Sequence, residues 1–254
     1  PLVEGRAAAG APFEGEVPLG RAIRILTGAV LPKGVDTVVL EEDTTQAHGA
    51  IAFAGGVRAR ANTRKAGEDV NAGDVALTEG RKLTPAELAL ASALGLDALP
   101  LRRQLRVGVV STGDELAKPG ETEDPARTYD ANRPMLLAVA RAWGYAAVDL
   151  GLVPDDRAAL RTRFETASQE VDVILTSGGA AAGDEDHVSA LLKETGTMAA
   201  WRIALKPGRP LALGVWDGTP VFGLPGNPVA ALVCTLIFAR PALACLAGGA
   251  WRAP

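Results

Sequence analysis

Residues 171–192 read VDVILTSGGAAAGDEDHVSALL. An apolar run interrupted only by Asp172 leads into two glycines. Three alanines and a further glycine follow, then three acids, then a stretch whose apolar residues recur at helical spacing. A short continuous apolar run is how a strand buried on both faces reads, and such strands belong to parallel sheets. The glycine-rich turn then falls at the carboxyl end of the strand, where open α/β sheets gather their ligands. Glycine admits positive φ and close approach of backbone to a ligand, and the start of the next helix offers unpaired N–H groups to an anion. Taken alone, the stretch reads equally well as a plain structural turn.

The same alternation extends to both sides. LRVGVVSTG (105–113), AAVDLGLV (146–153), WRIALKPGRPLALGVW (201–216) and TPVFGLPGN (219–227) read as strands. ANRPMLLAVARAWG (131–144), DDRAALRTRFETASQ (155–169), DHVSALLKETG (186–196) and NPVAALVCTLIFARPALACLAG (227–248) read as helices. Asn132, Asp155 or Asp156, and Asn227 are candidate caps, with Pro228 at the first helical position. Residues 104–247 are therefore predicted to form a mostly parallel, three-layer α/β domain. Before it, residues 1–66 carry short alternating runs broken by Gly and Pro (VPLGRAIRILTGAVLP, GVDTVVLEED, AIAFAGGVRA) and predict a smaller β-rich domain. Residues 67–103 form a linker with one helix, opened by a Thr84/Glu87 capping box with Pro85 at the first position.

Four strand ends should emerge on one edge of the sheet: STGDEL (111–116), PDD (154–156), SGGAAAGDED (177–186) and PGNP (225–228). Asp114, Glu115, Asp155, Asp156, Asp184, Glu185 and Asp186 would then share a rim. Any one of them reads as a helix cap or a solvated charge. Several together repel unless a cation or proton intervenes, and Mg²⁺ held by one or two carboxylates plus substrate phosphates would relieve that repulsion. Opposite them, Lys206 and Arg209 lie in a turn stiffened by Pro and Gly, suited to a phosphate or oxyanion, or else two solvated bases. Acids for a metal, bases for an anion and glycine loops together point to phosphate-ester or oxyanion chemistry.

The net charge of −4 argues against a nucleic-acid surface. No apolar run reads as long enough to span a bilayer, and no signal peptide is visible. Cys234 and Cys245 show no pairing or metal spacing, which fits core packing in a reduced, cytoplasmic setting. His48 and His187 form no catalytic arrangement, and Trp143, Trp201 and Trp216 read as core. The start at Pro1 without methionine and the stop at Pro254 lead us to expect that the chain is part of a longer polypeptide.

RILTGAVLPKGVDTVV (24–39), RKAGEDV (64–70), STGDEL, YDANR (129–133), TSGGAAAGDEDH (176–187), WRIALKPGRP (201–210) and FGLPGNPVAA (222–231) occur in order. Together they resemble the molybdopterin molybdenumtransferases, the MoeA and gephyrin E-domain family of molybdenum cofactor biosynthesis, over essentially the whole chain. The resemblance implies Mg²⁺-dependent insertion of molybdate into adenylyl-molybdopterin with release of AMP, by a homodimer working after a molybdopterin adenylyltransferase. It implies that Glu115, Asp155 and Asp186 are the catalytic acids and metal ligands, with Asp69 catalytic and Thr27 substrate-binding across the subunit boundary. Ser111, Thr112, Gly113, Asp114, Ser177, Gly178, Gly179, Gly226 and Asn227 would line the binding loops, and Arg202, Lys206, Arg209 and Pro210 the oxyanion side. Partners would be small molecules and a second copy, with no nucleic acid and no membrane.

The chain departs from the family pattern in three respects. Ala181 and Ala230 stand where serine is usual, each removing a hydroxyl whose hydrogen bond is typically worth roughly 0.5–1.5 kcal/mol. The usual N-terminal helical segment and C-terminal β-barrel-like domain are also missing from this chain. A non-catalytic carrier or scaffold, or the adenylyltransferase itself, are the competing readings. The first is favoured by the two alanines, the second disfavoured by residues 1–103.

Overall fold

A computed structural model of the chain describes residues 1–121, 124–178, 186–194, 197–198, 200–201, 206 and 211–251. Two compact units divide between Ala76 and Leu77. In the first, β1 (Leu2–Ala7) pairs in parallel with β2 (Ala22–Ile25), and β3 (Thr44–Ala47) forms an antiparallel hairpin with β4 (Ala50–Phe53). The GVDTVVL run, read as a strand, forms no ladder strand. Val38 instead receives a hydrogen bond from Asn62 Nδ2 on its carbonyl and donates its own N–H to Ala61, so a loop satisfies its backbone. The buried apolar residues of this unit are few: Ala7, Val17 and Pro32.

The second unit opens with α1 (Pro85–Ala93), whose capping box is present as the sequence predicts. Then follow β5 (Arg106–Thr112), the short β6 (Leu116–Ala117) and β7 (Thr128–Tyr129), α2 (Asn132–Ala142), β8 (Ala146–Val153) and α3 (Arg157–Glu170). The chain continues through β9 (Val173–Ser177), α4 (His187–Glu194), β10 (Ala200–Trp201), β11 (Ala212–Trp216) and β12 (Thr219–Leu224). It ends in α5 (Pro228–Cys234), a π turn (Thr235–Ala239) and α6 (Arg240–Leu246). The central sheet has the order β10-β11-β12-β9-β5-β8; β12, β9, β5 and β8 run parallel, and β10 and β11 are antiparallel at one edge.

Side-chain alternation sorts the strands between two layers. Val107, Val109, Val173, Leu175, Phe222 and Leu224 face α2, α5 and α6, meeting Leu136, Ala140, Ala231, Cys234 and Leu243. Val110, Ile174, Val221 and Trp216 face α3 and α4, meeting Leu160, Phe164, Val188 and Leu191. Trp216 packs edge-on to Phe164 at 5.6 Å, and Trp143 is partly buried, so both are core as read; the Trp201 side chain lies outside the described residues.

Two expectations need correction. Cys234 is buried, and burial pushes its thiol up, but Cys245 is exposed and only one cysteine is a core residue. The chain also does contain a helix long and apolar enough to cross a bilayer, Pro228–Leu246, 19 residues. The helix read over 227–248 does continue through Arg240-Pro241, and the π turn just before the proline accommodates it. One face of this helix supplies Ala231, Cys234, Ala239 and Leu243 to the core, while Leu236 and Ile237 face outward.

Candidate functional site

The parallel strands deliver the ends of β5, β8, β9 and β12 to one edge, as the sequence predicts. Two glycines shape this edge by close approach. Gly178 has φ +91°, and a β-carbon there would lie 2.1 Å from the Thr112 carbonyl oxygen, so the turn after β9 packs directly on the end of β5. Gly113, at φ +148°, carries the Glu115 carboxylate where a side chain would sit, with Oε2 2.6 Å from an added β-carbon. Gly226 has open space beside it, leaving its backbone approachable.

The acids separate into two groups. Asp156 caps α3, accepting from Ala159 N–H at 2.7 Å, and Asp186 caps α4, accepting from Ser189 N–H at 2.9 Å. Asp186 is also buried. Asn227 caps α5 through Ala230 N–H at 3.1 Å, with Pro228 first in the helix. Asp114, Glu115 and Asp155 cap no helix. Asp114 Oδ1 accepts from the Asp155 N–H at 2.9 Å, which joins the β5 turn to the β8 turn, and the Thr112 hydroxyl lies 3.3 Å from Asp155 Oδ1. Asp114 and Glu115 are exposed and Asp155 half-buried.

Beneath this rim lies a buried polar network that sequence reasoning did not find. The Ser111 hydroxyl, fully buried, donates to Asp130 Oδ1 at 3.0 Å rather than into open space. Asp130 also accepts from Arg133 N–H at 3.1 Å and Nε at 2.9 Å, while Arg133 Nη1 reaches Asp149 at 2.6 Å. Asp130 thus performs the capping of α2 expected of Asn132. The Asn132 amide instead donates to Ser177 Oγ and to the Gly226 carbonyl, each at 2.6 Å, and so ties the β9 end to the β12 turn. The local signal available was the Asp130–Arg133 spacing, which matches a capping pair as well as Asn132 does.

Among the described residues, no three His, Cys, Asp or Glu side chains are gathered to hold a metal by themselves. The donor chemistry of Asp114, Glu115 and Asp155 fits a hard cation that draws its remaining ligands from phosphate and water. Lys206 is exposed. Gly179, Ala181, Asp184, Glu185, Arg202, Arg209 and Pro210 lie outside the described residues. Thr27 and Asp69 belong to the first unit, both on exposed turns, where Asp69 pairs with Arg64.

Comparison with known proteins bears on this arrangement. Residues 108–244 match the family described as probable molybdopterin binding domain, and residues 2–95 match the MoeA N-terminal region (domain I and II). The chain is 40% identical to a molybdopterin molybdenumtransferase of Haemophilus influenzae, over 99% of the chain and 63% of that protein. It is 37% identical to molybdopterin molybdenumtransferase 2 of Mycobacterium tuberculosis, over 91% of the chain and 61% of that protein. The crystal structure of a molybdopterin biosynthesis MoeA protein from Pyrococcus horikoshii superposes with TM-score 0.80 at 28% identity, covering 96% of this chain and 60% of that one. The chain thus spans about three fifths of the length of the relatives it matches.

Proposed function

The chain belongs to the molybdopterin-binding domain family, joined to a MoeA N-terminal region, and from that premise we propose that it is a molybdopterin molybdenumtransferase. In this reading it inserts molybdate into adenylyl-molybdopterin and releases AMP. The observation that carries the proposal is the sorting of the rim: Asp114, Glu115 and Asp155 cap no helix and sit beside glycine turns that expose backbone. The glycine turns and helix starts would bind the phosphates through N–H groups, and Lys206 would face the oxyanion. Glu115 and Asp155 would hold Mg²⁺, with Asp114 fixing the Asp155 backbone beside it. When bound, that ion would neutralise charge on the phosphate being cleaved. Asp186 is the third acid of the proposal, although one of its oxygens is committed to its helix. The working form is a homodimer, in which Thr27 and Asp69 of one copy serve the site of the other.

A second reading, a non-catalytic carrier, is favoured by Ala230. Its methyl group is buried in the first turn of α5, where the family pattern has a hydroxyl. AMP release from adenylyl-molybdopterin separates the two. The expected result is release that requires both Mg²⁺ and molybdate. Tight binding of the nucleotide with no AMP formed would leave the carrier.

A further inference from the structure

Asn132 is 7% exposed, and its two amide hydrogens are both accounted for. One goes to the Gly226 carbonyl and one to Ser177 Oγ, each at 2.6 Å. A carbonyl oxygen can only accept, so the amide nitrogen must face Gly226 and the orientation of the group is fixed. Its oxygen, Oδ1, is buried with no hydrogen-bond partner among the described residues. Thr176 Oγ1 and Ser189 Oγ are also unpartnered, but they are hydroxyls that rotate and can donate or accept. Oδ1 can only accept, and the two bonds from Nδ2 fix where it lies. A buried acceptor left without a donor costs about 1–3 kcal/mol, and native structures rarely leave one without a reason.

Phosphate and molybdate do not meet this need. Their oxygens are themselves acceptors, and one placed against Oδ1 would be repelled. The atom requires an N–H or O–H donor on whatever binds beside the β9 and β12 ends. We propose that Asn132 is a ligand-contacting, specificity-determining residue whose Oδ1 accepts a hydrogen bond from a ring N–H or amino group of the bound pterin. The inference rests on the reading that the rim binds molybdopterin, and it adds which part of that molecule lies at the β9–β12 junction. The same amide anchors the two turns through Nδ2, so one side chain both spaces the loops and reads a donor that an oxyanion lacks.

The test uses the full chain and three probes: a fluorescent 6-alkylpterin phosphate, its analogue methylated at the ring N–H and amino positions, and the alkyl phosphate without a ring. A net hydrogen bond of about 0.5–1.5 kcal/mol corresponds to roughly a 2- to 12-fold change in Kd. In the unaltered protein the methylated analogue should bind weaker by that factor. In Asn132→Ala the pterin phosphate should fall to the level of the methylated analogue, with the alkyl phosphate changed less than about twofold. Equal binding of the pterin and its methylated analogue by the unaltered protein overturns the inference, even if the variant fails to fold. Parallel loss of all three probes in Asn132→Ala also overturns it, since that is the signature of a spacer alone or of a water on Oδ1. Failure of the unaltered protein to bind any pterin removes the functional reading itself, a result distinct from the other two.

Discussion

Asp156, Asp186 and Asn227 each place a side-chain oxygen on a backbone N–H three residues ahead, and Asp114 places one on the N–H of Asp155. Two of the five described rim acids, Asp156 and Asp186, are thereby helix caps, and the unfavourable crowding of like charge is smaller than the raw count implies. Asp186 is where capping and catalysis compete for one residue, and substitution separates them. Asn caps as well as Asp, whereas Ala loses about 1 kcal/mol. Asp186→Asn should therefore melt within a degree or two of the unaltered protein, while Asp186→Ala should melt several degrees lower, both followed by calorimetry. If the charge also serves the reaction, AMP release by Asp186→Asn falls at least about tenfold, a barrier increase of about 1.4 kcal/mol. Normal turnover in that folded variant would return Asp186 to its helix alone. Caps of this kind were legible in the sequence because donor and acceptor are three residues apart. Asn132 looks locally like another cap because its partners lie 45 and 94 residues away, and no local pattern encodes them.

Elements were legible where one local rule governs and obscure where two compete. The apolar runs at 105–112 and 171–177 could only be strands buried on both faces, and both are. GVDTVVL reads as a strand but finds a loop as its partner, whereas the helix read over 227–248 holds through Arg240-Pro241 by way of a π turn. The start of α1 obeyed its rule and carries more than was read. Glu87 accepts from the Thr84 hydroxyl, from Thr84 N–H at 2.8 Å and from Arg81 Nε at 2.8 Å. The Thr84 hydroxyl, with Arg81 and the Thr84 backbone, holds the carboxyl down at about 2, against an ordinary 4.5. A carboxyl lowered on folding stabilises the protein fully above its unfolded value, and that contribution is lost as pH falls toward the folded one. Between pH 4.5 and 2 the urea midpoint of the unaltered protein should therefore drop more steeply than that of Glu87→Gln. Parallel slopes for the two proteins would show that the Glu87 contacts are not kept in solution.

At the scale of the whole molecule, the two units differ in what holds each of them together. Both buried apolar clusters belong to the second, where a six-stranded sheet is covered on both faces. The first consists of two-stranded ladders, and its buried apolar side chains are Ala7, Val17 and Pro32, while Leu19, Val30 and Val75 stand exposed. Two-stranded ladders are marginal in water without a hydrophobic face to bury, and local opening follows local burial. Reading the sequence by period alone gave both regions strands, because alternation registers which way side chains point and not how much lies beneath them. Native-state hydrogen exchange should therefore divide the chain. Amides of β1–β4 should exchange through low-energy opening, and those of β5, β9 and β12 only through global unfolding of the second unit. A second copy packed over the first unit, as the proposed homodimer would have it, raises protection in β1–β4 as protein concentration rises and leaves the central sheet unchanged. Protection in β1–β4 that is low and independent of concentration would count against any such cover. Protection equal to that of the central sheet at every concentration would mean that the thin core of the first unit is not what limits its stability.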